Sequence, residues 1–215
     1  MAGGQRRAIA RSACAEDIGR MIEIHDICFK PPFPQDIRWR VEDLEFVIEK
    51  FPEGQIVVEV EGKAAGHIIS SRVSETLYRA HPPLLEFAGI DPPWCNFDAG
   101  GSTMWILEIA VDPAFRGCGA ARVLVEGCKK AVMGVPELKR FGGGARIPGY
   151  AKWREETGGA PEDYCREVVE GRIFDPVLGL FLKFGAKFDC VVADYIPDPV
   201  SLNFGASVIW ERGME

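Results

Sequence analysis

The sequence predicts an α+β fold built on a mixed sheet. Apolar residues recur at helix spacing in some segments and at strand spacing in others, and the two kinds interleave along the chain. An early hairpin and a late pair of strands break the alternation, so the sheet cannot be wholly parallel. A chain of 215 residues, 47% apolar and 27% charged, can bury a core without disulfides or metals. No repeat, low-complexity stretch or linker divides it, and a single domain over residues 1–215 is expected.

Ala8–Cys14 reads as a first strand, although the basic, acid-free start "MAGGQRRAIARSAC" also has the composition of a transit peptide. Glu16–Phe29 carries Ile18, Met21, Ile22, Ile24, Ile27 and Cys28 at helical spacing, and "KPPFP" stops that helix. Val41–Phe51 reads as a second helix and "PEG" as a turn. "QIVVEV", "EGK" and "AAGHIISSRVS" read as a hairpin. Leu84–Gly101, rich in Pro and Gly, reads as an irregular insertion. Ser102–Val111 is a strand, and Ala121, Leu124, Val125, Cys128, Ala131 and Val132 mark the buried stripe of the helix after it. "LKRFGGGAR" holds the next strand, weakened by its glycine run. A helical piece spans Pro161–Val169. "FDPVLGLFLKFG" is a helix with Asp175 as N-cap, Pro176 in its first turn and Gly185 at its stop. "FDCVVADYI" and "FGASVIWER" are the last strands.

Composition excludes several classes. A net charge of −7 argues against general nucleic-acid binding and against docking on anionic lipid. The longest apolar runs are broken by charge, so no membrane span is expected. Seven cysteines, without a Cys-x-x-Cys pair or a secretory signal, read as reduced thiols of a cytoplasmic protein. His25, His67 and His81 stand apart from one another and from the cysteines, so no metal is called for.

The stretch "VDPAFRGCGAARVL", Val111 to Leu124, carries the chemistry. Strand, arginine, two glycines and helix start follow in immediate succession. Glycines let backbone amides approach a ligand, and a helix N-terminus attracts anions, so the turn suits a pyrophosphate. A glycine-softened turn with a surface arginine explains the same residues equally well. The spacing matches neither the dinucleotide fingerprint nor the triphosphatase phosphate loop.

Arg116-Gly117-Cys118-Gly119-Ala120-Ala121 resembles the R/Q-x-x-G-x-G/A signature of the GNAT superfamily of N-acyltransferases. "LEIAVDPAF" resembles that family's fourth strand and its exit, and the element order is similar over nearly the whole chain. "ARIPGYAKW", "FDPVLGL" and "DYIPDPVSLNFGASVIWE" are similar to a subgroup fused to nitrilase-type hydrolase domains. The resemblance implies a twisted, mostly antiparallel sheet flanked by helices in three layers. It implies acetyl-CoA as the acyl donor and a small-molecule or protein amine as acceptor, with a homodimer compatible.

On that resemblance, Arg116 and the amides of Gly117, Cys118, Gly119, Ala120 and Ala121 would hold the pyrophosphate. Ile109 and Val111 would offer backbone groups to the pantetheine arm, which would enter a splay between this strand and the one ending near Arg146. Glu108 is the candidate base. It lies in an apolar run, and burial is expected to raise its pKa; an ion pair with Arg146 or Arg122 is the structural alternative. His25 and His67 are lesser candidates. Cys118 reads as a thiol of the cradle, not a nucleophile. Related enzymes often place a proton-donating tyrosine four residues before the glycine that ends their last helix; here that position is Phe181. Among Tyr78, Tyr150, Tyr164 and Tyr195, Tyr150 is the first candidate for the missing acid. Two other readings stay open: a CoA-binding module without turnover, which Phe181 favours, and a lactone synthase of similar fold, which the complete pyrophosphate signature disfavours.

Overall fold

The computed structural model describes residues 7–31, 33–34, 37–89 and 93–213. Seven strands form one sheet: β1 (Ala8–Ser12), β2 (Ile56–Val60), β3 (Lys63–Val73), β4 (Thr103–Val111), β5 (Arg140–Arg146), β6 (Lys187–Val192) and β7 (Gly205–Glu211). Their order is β1-β2-β3-β4-β5-β7-β6. Only β4 and β5 run parallel, and every other neighbouring pair is antiparallel. The mixed, mostly antiparallel sheet is therefore as expected.

Helices cover both faces. They are α1 (Ile18–Cys28), α2 (Val41–Lys50), α3 (Glu75–Ala80), α4 (Leu84–Ala88), α5 (Ala120–Gly134), α6 (Tyr150–Thr157), α7 (Pro161–Val169) and α8 (Leu178–Lys183). On one face Leu124, Val125 and Cys128 of α5 pack with Met104, Ile106, Phe141 and Trp210. On the other, Val47, Phe87 and Trp94 pack with Trp105 and Leu107. Each fully buried Leu or Val in these layers contributes roughly 1.5–3 kcal/mol relative to exposure. None of the helices among the described residues is long and apolar enough to cross a membrane.

Two elements depart from the sequence reading. The segment from Leu84 read as irregular, yet it opens with α4, because Leu84, Phe87 and Ala88 are buried and Phe87 stacks on Trp105 at 4.2 Å between ring centroids. Tyr150–Thr157 forms a helix of its own, stopped at Gly158, whose φ of 71° is left-handed. Asp175 caps α8 as expected: its Oδ1 accepts from the amides of Val177 and Leu178 at 2.9 Å each.

The glycine run in β5 has a packing cause. A Cβ on Gly144 would lie 2.1 Å from Cζ of Tyr195, whose hydroxyl donates to the Gly144 carbonyl at 3.0 Å. The strand gives up side chains there so that this ring can lie across it.

Two irregularities position the site. The β4–β5 ladder pairs only Thr103–Ile106 with Arg140–Gly143, so from Leu107 onward the strands part. The β3–β4 register also shifts: Ile69 opposes Glu108, while Ser70 opposes Ile106. Leu107 is thus the extra residue of a bulge. Met104 and Ile106 face α5, and beyond the bulge so do Ile109 and Val111. The change of parity turns both Leu107 and Glu108 to the opposite face, toward α1.

Candidate active site

Glu108 sits at the mouth of the splay and is 8% exposed. Its Oε2 accepts from His25 Nδ1 of α1 at 2.7 Å and from Trp39 Nε1 at 2.8 Å, and its Oε1 pairs with His67 Nε2 of β3 at 2.7 Å. His67 reaches it because Ile69 lies opposite Glu108 and His67 projects from the same face, one pleat along. Trp39 is held by stacking on Trp94 at 5.9 Å.

These contacts correct two expectations. The partners of Glu108 are two histidines and an indole, not Arg146 or Arg122. Its pKa falls rather than rises: burial pushes the carboxyl up, but the hydrogen bonds from His25 and His67 outweigh that and bring it to about 2. Glu108 is a carboxylate at every working pH. Three of its roughly four lone-pair positions are taken, which leaves one on Oε1.

The turn after β4 has the form of an anion cradle. Asp112 accepts from the Ala114 amide at 2.9 Å and from the guanidinium of Arg20, which pins the turn Pro113–Phe115. The Ala114 amide first, and Arg20 with it, hold the Asp112 carboxyl below its usual range. Gly117 and Gly119 follow with φ of 80° and 85°, a left-handed backbone that L side chains rarely adopt. Nothing lies within 4 Å of where a Cβ would stand on either, so the amides entering α5 are open to a ligand. The Asp112 amide donates to the Ala65 carbonyl at 2.9 Å. By antiparallel alternation, the backbone polar groups of Ile109 and Val111 then face away from β3, into the splay.

One cavity of about 760 Å³ joins these parts. Glu108, Ile109, Val111, Arg116, Gly117, Gly119, Ala120 and Ala121 all line it, and Phe181 does as well. Cys118 does not; its thiol turns back to the Phe115 carbonyl at 2.8 Å. Beyond Glu108 the wall is apolar, formed by Phe29, Phe33, Ile37, Trp39 and Leu107. Arg146 lines the cavity too, 3.4 Å from Asp198.

Tyr150 lies elsewhere. It is 1% exposed, packs against Tyr164 and Phe204, and donates to the Gly159 carbonyl at 3.3 Å. The residue after a strand-end "RIPG" run is drawn into the core by the start of α6, so Tyr150 is not positioned to serve the cavity. Cys28 is the residue that sequence reading missed. Its thiol donates to the Val111 carbonyl at 3.3 Å, and burial raises its pKa against the opposing pull of Arg116. As part of the apolar stripe of α1, it carried no signal of its own.

The model of the acetyltransferase (GNAT) family matches residues 18–141. The chain belongs to the GNAT acetyltransferase family. It is 30% identical over 211 residues to the uncharacterized N-acetyltransferase YkwB of Bacillus subtilis (strain 168), covering 94% of this chain and 88% of that one. It is 28% identical over 209 residues to the probable hydrolase YhcX of the same organism, covering 97% of this chain but 39% of that protein. This partial coverage is compatible with the fused subgroup that the sequence resembles. Among solved structures it is similar to the GphF GNAT-like decarboxylase in complex with isobutyryl-CoA, with a TM-score of 0.74, 25% identity, and 94% and 98% of the two chains covered. GNAT membership supports acyl transfer over a CoA-binding module without turnover.

Proposed function

We propose that this GNAT enzyme, one acyltransferase unit over residues 1–215, transfers an acetyl group from acetyl-CoA directly to an amine. The observation that carries this reading is a single cavity that joins the Gly117–Ala121 cradle to an ionised Glu108 across the β4–β5 splay. Arg116 and the amides of 117–121 would hold the pyrophosphate. The backbone of Ile109 and Val111 would align the arm, and the Val111 amide would face the oxygen that gains charge, a contact worth about 3 kcal/mol. Unpaired cysteines throughout support a cytoplasmic location.

The lowered pKa of Glu108 sets its role. A carboxylate near pKa 2 is a weak base toward a free ammonium of about 10.4. It is a strong partner for a nitrogen that turns positive as it bonds to the thioester carbon, and that nitrogen sheds its proton far more readily. Glu108 therefore orients the amine and accepts its proton late, through the free position on Oε1. His25 and His67 are positioning residues that keep the carboxylate ionised. CoA leaves as a thiolate of pKa about 8.5, so Phe181 blocks nothing.

A second reading is favoured by Phe181 and the apolar wall. If the acyl chain carries a β-carboxylate, breaking its C–C bond releases CO₂ and leaves an enolate that takes a proton from solvent. The thioester then stays intact, and no acid is needed beside the sulfur. The activity printed for GphF is of this kind. Incubation with acetyl-CoA and an amine panel, with thiol release measured, tests the first reading. Incubation with malonyl-CoA, with CO₂ release and no free thiol, tests the second.

A further inference from the structure

We propose that His81, Asp189 and Cys190 form a binding site for a zinc-class divalent metal at the β6 edge of the sheet. One ligand atom from each residue lies within 4.8 Å of the other two. Asp189 and Cys190 are neighbours on a strand and would ordinarily face opposite sides. The β6–β7 register shifts there: Phe188 opposes Val208 and Cys190 opposes Ser207. Asp189 is the extra residue of a bulge, and a bulge re-aims side chains in this way.

His81 comes from the other direction, at the end of α3, with a left-handed φ of 46°. Its Nε2 is 3.7 Å from Asp189 Oδ2, too far for a hydrogen bond. Two ligands at roughly 2.0–2.2 Å from one tetrahedral ion stand about 3.4 Å apart, close to this separation. His81 Nδ1 is buried without a partner, so neither ring nitrogen makes a hydrogen bond among the described residues. Buried polar atoms are nearly always paired, so this imidazole calls for a ligand. The carboxylate is already oriented: the Tyr78 hydroxyl donates to Oδ2 at 2.9 Å and the Ser207 hydroxyl at 3.5 Å. Both donors fall on Oδ2, which leaves Oδ1 for an ion.

Imidazole nitrogen, carboxylate oxygen and thiolate sulfur form a borderline-soft set that suits zinc. On binding, the Cys190 thiol loses its proton to solvent. The thiolate and the Asp189 carboxylate then balance the two charges of the ion, and water completes a fourth position. The site would tie the β6 edge to the segment that continues into α4, whose Leu84, Leu85 and Ala88 wall the cavity.

The test uses the full chain after chelator treatment, with the exposed Cys14 and Cys95 replaced by serine to silence their thiols. Cobalt(II) is titrated first and zinc second. The expected result is one equivalent bound, a thiolate-to-cobalt charge-transfer band that zinc bleaches, release of one proton, and a zinc-dependent rise in Tm. Cys190→Ser should abolish the band, and His81→Gln should weaken binding about tenfold or more, both in folded protein. Absence of the band in the parent, or a band that survives Cys190→Ser, overturns the proposal.

Discussion

Glu108 Oε2 lies 2.7 Å from His25 Nδ1, a contact between β4 and α1 that spans 83 positions of chain. With His67 on the other oxygen, it converts a buried carboxyl that should resist ionisation into one that is always ionised. The site's pH behaviour follows from that pair rather than from the burial of Glu108 alone.

Glu108→Gln keeps the shape and removes the charge. It is expected to lower kcat by roughly 10²–10³ while acetyl-CoA binding holds, which calorimetry and steady-state rates would show. Because Glu108 does not titrate in the working range, kcat/KM should rise with pH toward the pKa of the acceptor amine in both proteins. Two acceptors of different basicity should move that limb, and a limb that stays put would assign it to the enzyme.

Replacing His25 leaves desolvation less opposed. In His25→Ala the Glu108 carboxyl should rise from about 2, and protonation then removes the active form as pH falls. The variant should gain an acid limb in its kcat profile that the parent lacks. A lower rate with an unchanged profile would make His25 a packing residue.

Gly119→Glu tests the cradle. A side chain at φ 85° costs roughly 1–2 kcal/mol, and the space around it is open, so the fold should survive. Its carboxylate would occupy the anion position. Loss of acetyl-CoA binding by calorimetry, with a cooperative melt retained, is the expected result.

Tyr150→Phe removes only a hydroxyl bonded to the Gly159 carbonyl, away from the cavity. Its kcat should match the parent's, with at most about 1 kcal/mol lost in urea unfolding. Phe181→Tyr, which adds a hydroxyl to the cavity wall, should be neutral or mildly activating. A kcat loss in Tyr150→Phe would return that residue to the mechanism.

Acid should unfold the protein partly through Asp17. The Arg11 guanidinium first, and the Cys14 amide after burial is offset, hold its carboxyl at about 2 against an ordinary 3.8. A lowered folded pKa stabilises above the unfolded value and is lost as pH falls through the folded one. Tm should therefore drop between pH 3.8 and about 2. Asp17→Asn should melt lower at pH 7 and show a flatter acid dependence.

The sequence by itself determined the strand–turn–helix from Thr103 to Gly134. Its signals are local: a run of strand formers, a proline, glycines at the left-handed positions, and an apolar stripe at helical spacing. The cradle was legible for the same reason, since Arg116 and the amides of 117–121 are contiguous in the chain. Tertiary structure alone decided the partners of Glu108. His25, Trp39 and His67 come from three segments that only packing and a bulge at Leu107 bring to one face. It also decided that Tyr150 turns inward and that a glycine run makes a strand, because Tyr195, far along the chain, fills the room those glycines leave. Backbone chemistry reads from neighbouring residues, whereas a pKa or a close approach is set by whatever the fold places alongside.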